Sequence, residues 1–347
     1  MYGFPITIDK TKVGGPLANF AYYFSELTAT IPAGFWGHVA DSVSGLDVRF
    51  YDSAWRELRR EVVFFDVVNS LIECHVQLPP ISGAADPVIF CCYGGATRPN
   101  DTRVWIDAGG TLVCHLHNTG ADSTGRMVIN SVTASPADAR LHRGYSFAGN
   151  NVDVVDLGGP RVFNHPPFTF SAWAYPTGLT PGETAGCIVN DVEWCILMLD
   201  DGTAFPPNGG WAIGFYDWLG DMQWHGVATQ NSPASQFNAW KLIHGVYTGS
   251  AWLIYVNGQY VNGSNYVKDF ASAQEAIVGR FEGGDSQWHY GWKGKLDEVR
   301  IYNEAKSADW IATEYANQND PGTFAACGGE LEFPPVGGGF LPLFLNH

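Results

Sequence analysis

Positive charge is scarce in this chain. Nineteen Lys and Arg stand against thirty-five Asp and Glu, a net charge of −16 over 347 residues. Such a surface repels the backbone of nucleic acid and anionic membranes, so neither is an expected partner. Long apolar runs are also lacking. No stretch approaches the ~18 residues that cross a bilayer as a helix, so membrane insertion is not expected. The start, MYGFPITIDKTKV, has no basic segment followed by an apolar run, so it does not read as a leader. No CxxC pair occurs, and the seven cysteines (Cys74, Cys91, Cys92, Cys114, Cys187, Cys195, Cys327) are odd in number. They read as reduced thiols used as small apolar side chains of a protein made in a reducing cytoplasm. Catalytic signatures are missing as well: no G-x-S-x-G elbow, no phosphate loop and no H-E-x-x-H.

What is present is a large apolar fraction and abundant turn residues. Hydrophobic residues make up 46% and charged residues 16%, with 41 Gly and 20 Pro. That mix buries large cores and suits turn-rich β structure. The length suits two domains and a tail. Residues 1–98 carry the short alternating runs FPITID, DVRFYD, REVVFFDVV, LIECHVQLP and PVIFCCY, separated by turn clusters, which reads as a small antiparallel sandwich. Gly94, Gly95, Arg98, Pro99 and Asn100 read as a linker.

Residues 99–324 carry longer strand-like runs, among them YSFAGNNVDVVDL, FTFSAWAYP, WKLIHGVYTG, AWLIYVNGQYV and GKLDEVRIYN. Asn257-Gly258 and Asn262-Gly263 each predict a tight hairpin turn. SADWIATEYANQ predicts a helix capped by Ser307, with Ile311 and Tyr315 on one face. Residues 325–347 read as a Gly-rich tail ending in an apolar arm of Phe340, Leu341, Leu343, Phe344 and Leu345. Such an arm either docks on a partner or packs back on its own sandwich.

Two resemblances follow from these residues. PITIDKTKV, LDVRFYDS, the REVVFFD run and PPISGAADPVIFCCYGG resemble the DUF2341 family, without its Trp-rich lead-in. That family brings no established activity. HLHNTGADSTG, YSFAGNNVDVVDL, FTFSAWAYP, WKLIHGVYTGSAWLIYVNGQYV and GKLDEVRIYNEAKSADWIATEYANQNDPGTF resemble, in order, the concanavalin A-like, laminin-G-like (LamG) jelly roll. The fold implied is all-β: two β-sandwiches, the second a jelly roll, plus the C-terminal arm. Relatives with this pairing include bacterial surface and tailed-phage structural proteins. Some concanavalin-like enzymes cleave glycans, but their E-x-D-x-x-E strand is not found here. No enzymatic activity is therefore expected.

The residues suggest three chemistries. His115 and His117 share a strand face, as zinc ligands can, but no partner stands at ligand spacing. Asp122, in a Ser/Thr/Gly loop, and Asp297, on the last strand, are candidate Ca²⁺ ligands, since first and last strands of a jelly roll are often neighbours. Arg126 stands where the resembling family often has Asn, which disfavours a cation. Aromatic residues concentrate in GFYDWLGDMQWHG and SQWHYGW. Asp217, Trp218, Trp224, Trp288, His289 and Tyr290 are the glycan-binding candidates, because aromatic rings pack on sugar C–H faces. Core or interface packing is the alternative for each ring.

Together these readings favour a virion structural protein of a tailed bacteriophage (tail, fibre or capsid decoration) that self-associates, contacts other virion proteins and binds host-surface glycan. The alternatives are a cell-surface or secreted carbohydrate-binding module, and a glycoside hydrolase or lyase.

Overall fold

A computed structural model describes residues 1–117, 119–150, 152–158, 167–191, 195–217, 222–267, 276–282 and 288–333. The chain is mostly β, as expected, and divides into two units. One comprises Met1–Ala108 with the described residues from Ala312 onward; the other is Gly109–Ile311.

In the first unit, Phe4, Ile6 and Ile8 alternate along strand Tyr2–Ile8 and turn the same buried face inward. This strand sits between Ala325–Cys327 and Val88–Tyr93, and the sheet continues through Arg49–Tyr51 to Glu57–Leu58. A second sheet orders Ala21–Ser25, Leu71–Gln77 and Arg60–Asp66. The sheets meet through aromatic rings: Phe24 lies 6.5 Å from Phe4 and 5.4 Å from Phe50.

Two segments flanking the second unit are tied into the first. Residues 94–100 are not a loose linker: the buried Arg60 guanidinium donates to the carbonyls of Arg98 and Pro99 and to Asn100 Oδ1. The described residues 325–333 belong to the first unit. Cys327 pairs with Ile6, and Glu332 with Tyr2, so the chain returns to the first strand. The arm residues Phe340, Leu341, Leu343, Phe344 and Leu345 lie outside the described residues.

The second unit is a two-sheet jelly roll. Its larger sheet runs Ser135–Ala139, His142–Ala148, Lys293–Tyr302, Phe168–Pro176, Lys241–Tyr247, Trp252–Val256 and Gln259–Ser264. Gly110–Cys114 also pairs with Lys293–Tyr302, so the unit's first and last strands are neighbours, as expected. The smaller sheet runs Trp224–Ala228, Gly210–Tyr216, Cys195–Asp200, Ala185–Asp191, Ala276–Val278, Val155–Gly158 and Val128–Val132. Their inner faces bury Phe170, Ile243 and Ile254 with Ile188, Leu197 and Ile213. Gly245 is required here: a Cβ on it would come within 2.5 Å of Ile213 Cδ1.

Asn257-Gly258 makes the expected hairpin, with φ of 51° and 78°. Asn262-Gly263 does not. It continues strand Gln259–Ser264, with Gly263 opposite Leu253, and Asn262 Nδ2 donates to the Ala228 carbonyl at 2.8 Å. The helix forms as Ala308–Asn319, and Trp310 N donates to Ser307 Oγ at 3.1 Å, the expected cap.

Candidate functional site

The outer face of the smaller sheet carries a second apolar layer. Cys187, Ile196, Met198, Ala212 and Ala228 point away from the main core and are covered by Phe205 and Phe281. Asp200 puts Phe205 there. At the end of its strand, Asp200 is fully buried and accepts from Gly202 N and Phe205 N at 3.0 Å and Ala204 N at 3.1 Å. Three backbone donors on one carboxylate fold the loop back over the sheet. Gly214 leaves the space: a Cβ there would meet the Phe205 ring tip at 2.5 Å. Burial pushes the Asp200 carboxyl above the usual carboxylate range, against the pull of these three donors.

Trp224 stands half-buried at the centre of this layer. Its ring lies 5.5 Å from Tyr216, 6.1 Å from Phe205, 6.2 Å from Phe281 and 6.3 Å from Tyr290. Beside it opens a groove of about 570 Å³, with Phe205, Tyr216 and Trp224 on its apolar side and Gln230, Asn262 and Ser264 among its polar groups. Ser264 Oγ donates to Gly226 O at 2.7 Å. With the Asn262 bond to Ala228, this joins the edges of the two sheets along the groove and fixes its width.

The sequence candidates divide accordingly. Trp224 and Tyr290 come together, and the His289 ring is 6.0 Å from Tyr290. Burial raises the Tyr290 hydroxyl above the usual phenol range. Asp217 closes the hairpin before Trp224: its N–H donates to Gln223 O, and its carbonyl accepts from Met222 N. Trp218 lies outside the described residues. Trp288 holds a backbone place opposite Glu282, and its side chain lies outside the described set. Trp292, in the same aromatic segment, belongs to the main core. Phe205 and Phe281 were not singled out from sequence. The available signal for Phe205 was the DDGTAFPPNGG turn run, in which an Asp precedes three backbone donors.

The Ca²⁺ candidates are occupied differently. Asp122 Oδ1 accepts from Val113 N (2.9 Å) and Thr124 N (3.0 Å), and Oδ2 from Thr124 Oγ1 (2.6 Å), Arg126 N (3.0 Å) and Met127 N (3.0 Å). Five donors take up the lone pairs that a cation needs. Asp297 is fully buried, and its Oδ2 accepts from Leu141 N at 2.7 Å. Burial and the adjacent Glu298 hold its carboxyl well above the usual range, which favours the neutral acid. His115 Nδ1 lies 2.6 Å from Glu298 Oε1, and Glu298 also pairs with Arg300.

Residues 149–312 match the family model described as the concanavalin A-like lectin/glucanases superfamily (Laminin_G_3), so this stretch carries a concanavalin A-like, lectin-type domain. No curated protein matches the sequence. Among solved structures, the binding domain of Paraclostridial Mosquitocidal Protein 1 is similar at 14% identity, over 60% of this chain and 52% of its own, with a TM-score of 0.48. Domain 4 of AbnA, a GH43 extracellular arabinanase from Geobacillus stearothermophilus in complex with arabinotriose, is similar at 18% identity, over 60% and 99%, with a TM-score of 0.45. The botulinum neurotoxin serotype D ligand binding domain in complex with N-acetylneuraminic acid is similar at 14% identity, over 63% and 53%, with a TM-score of 0.46. The match spans about half the length of the two toxin chains.

Proposed function

We propose that this chain is a non-catalytic glycan-binding structural protein whose sugar sits in the groove beside Trp224. The observation that carries the reading is Trp224 itself, a half-buried indole ringed by Tyr216, Phe205, Phe281 and Tyr290 at the wall of a groove that amide and hydroxyl groups also line. Flat apolar rings and hydrogen-bonding side chains in one groove are the two halves of carbohydrate recognition. Binding without cleavage is favoured because Asp200, the buried carboxylate nearest in sequence to Phe205, spends its oxygens on three loop N–H groups. The test is titration of neutral oligosaccharides into the full chain and its Trp224→Ala variant, with reducing ends assayed in parallel. Saturable binding lost in the variant supports the reading. Equal binding in both, or release of reducing ends, overturns it.

The setting we propose is the virion of a tailed bacteriophage, with the first unit a DUF2341-like sandwich and the chain self-associating and contacting other virion proteins. Seven buried cysteines with no disulfide among them suit a protein folded in a reducing cytoplasm before assembly. A cell-surface or secreted module is the alternative. Mass spectrometry of purified particles and solution mass of the chain decide: a monomer absent from particles defeats the virion reading.

A further inference from the structure

The first unit holds a second pocket, of about 600 Å³, between residues 57–60 and 98–103. In a chain of net charge −16 its sign is reversed: Arg59, Arg60, Arg98 and Arg103 line it against Glu57 and Asp101. The carboxylates are already matched. Glu57 pairs with Arg49, outside the lining. Asp101 accepts from Arg103 Nε at 2.9 Å and Nη2 at 2.6 Å. Asp107 pairs with Arg59. Two guanidinium groups are left over.

One is Arg60, 4% exposed. It donates to Val48 O (2.9 Å), Pro99 O (3.1 Å), Asn100 Oδ1 (2.9 Å), Leu46 O (2.8 Å) and Arg98 O (2.7 Å). All five N–H groups go to neutral oxygens, and none to a carboxylate. A full positive charge is thus buried beneath the pocket, where water screens it poorly. The other is Arg98, at the exposed rim. Its backbone is pinned, N–H to Leu46 O and carbonyl to Arg60, while its guanidinium makes no hydrogen bond or ion pair with the described residues. The wall between them is rigid: Asn100 Oδ1 accepts from Val62 N at 2.9 Å and its Nδ2 donates to Val62 O at 3.0 Å.

We propose that this pocket binds a small ligand through an oxyanion (carboxylate, sulfate or phosphate), gripped by Arg98 over the buried charge of Arg60. Arginine presents a planar fork that matches an oxyanion with two parallel bonds. The volume is that of a small-molecule site. The acidic surface elsewhere repels a long polyanion, so the ligand is a small one.

The test is calorimetric titration of the full chain at low ionic strength with inorganic phosphate, sodium sulfate and glucuronate, with glucose as the neutral control. At least one oxyanion binds saturably, glucose does not compete, and the preferred oxyanion identifies the source. Arg98→Gln weakens binding about tenfold or more, the loss of one charge-assisted contact of about 1.4 kcal/mol, and leaves the melting temperature unchanged. Trp224→Ala leaves binding intact, which separates this site from the glycan groove. No saturable heat with any of the three anions, unaltered affinity in Arg98→Gln, or tighter binding of a heparin-length polyanion overturns the proposal.

Discussion

The side-chain amide of Asn317 grips both backbone groups of Tyr23: Oδ1 accepts from Tyr23 N at 2.7 Å, and Nδ2 donates to Tyr23 O at 3.0 Å. Both residues are about 1% exposed. Tyr23 lies mid-strand in Ala21–Ser25, at the edge of its sheet. An edge strand leaves its outward N–H and C=O groups unpaired, and here the helix supplies a one-residue substitute for the missing neighbour. Asn317→Ala leaves both groups buried without that partner. It is expected to cost about 2–4 kcal/mol, read as a lower urea midpoint at unchanged slope.

That contact marks where the sequence was legible and where it was not. The helix was readable from Ser307 and its apolar spacing, because capping is local chemistry. Its allegiance was not. The helix also buries Thr313, Glu314, Asn317 and Gln318, and polar residues announce no inward face. The strands at Ala325–Cys327 and Leu331–Glu332 were missed for a related reason. AAC and LE are too short and too weakly patterned to signal a strand, and their partner lies more than 300 residues away. Asn257-Gly258 and Asn262-Gly263 carry the same dipeptide, yet only the first turns the chain. The second is held straight by a bond from Asn262 to the other sheet, a tertiary decision no local rule contains. At the groove, Trp224 and Tyr290 stood out by composition, whereas Phe205 is placed by the Asp200 carboxylate.

Removing that carboxylate tests how the groove is built. Asp200→Ala frees three N–H groups of the 201–205 loop, that of Phe205 buried, and releases Phe205 from Trp224. The expected result is a local loss: glycan affinity falls, and amide exchange of Gly202, Ala204 and Phe205 accelerates, while the Lys241–Tyr247 strand stays protected. Uniform loss of protection across both sheets would make Asp200 a global fold determinant instead.

Glu330 tests the return of the chain to the first sheet. Its Oε1 accepts from the Tyr93 hydroxyl at 2.5 Å and lies 2.9 Å from His38 Nδ1. These two partners pull its carboxyl below the usual range, although burial opposes them. A lowered folded pKa means stability present above the unfolded value of 4.5 and lost as pH falls through the folded value. Glu330→Gln is expected to destabilise the chain by about 1 kcal/mol at neutral pH, with wild type and variant converging in melting temperature as pH falls through the folded value.

His117 works in the opposite part of the acid range. Burial is the main cause that pushes its imidazole down to about 4, helped by the nearby charges of His142, His115 and Arg143. The folded state therefore resists protonation that the unfolded chain accepts near its ordinary value of 6.5. Between about 6.5 and 4 the unfolded chain holds more protons, so stability rises with pH across that window and is lost as pH falls through it. His117→Gln keeps a polar group of similar reach but cannot titrate. Thermal unfolding from pH 7 to pH 4 should show a shallower fall for the variant than for wild type. Parallel curves would move the proton uptake to another group.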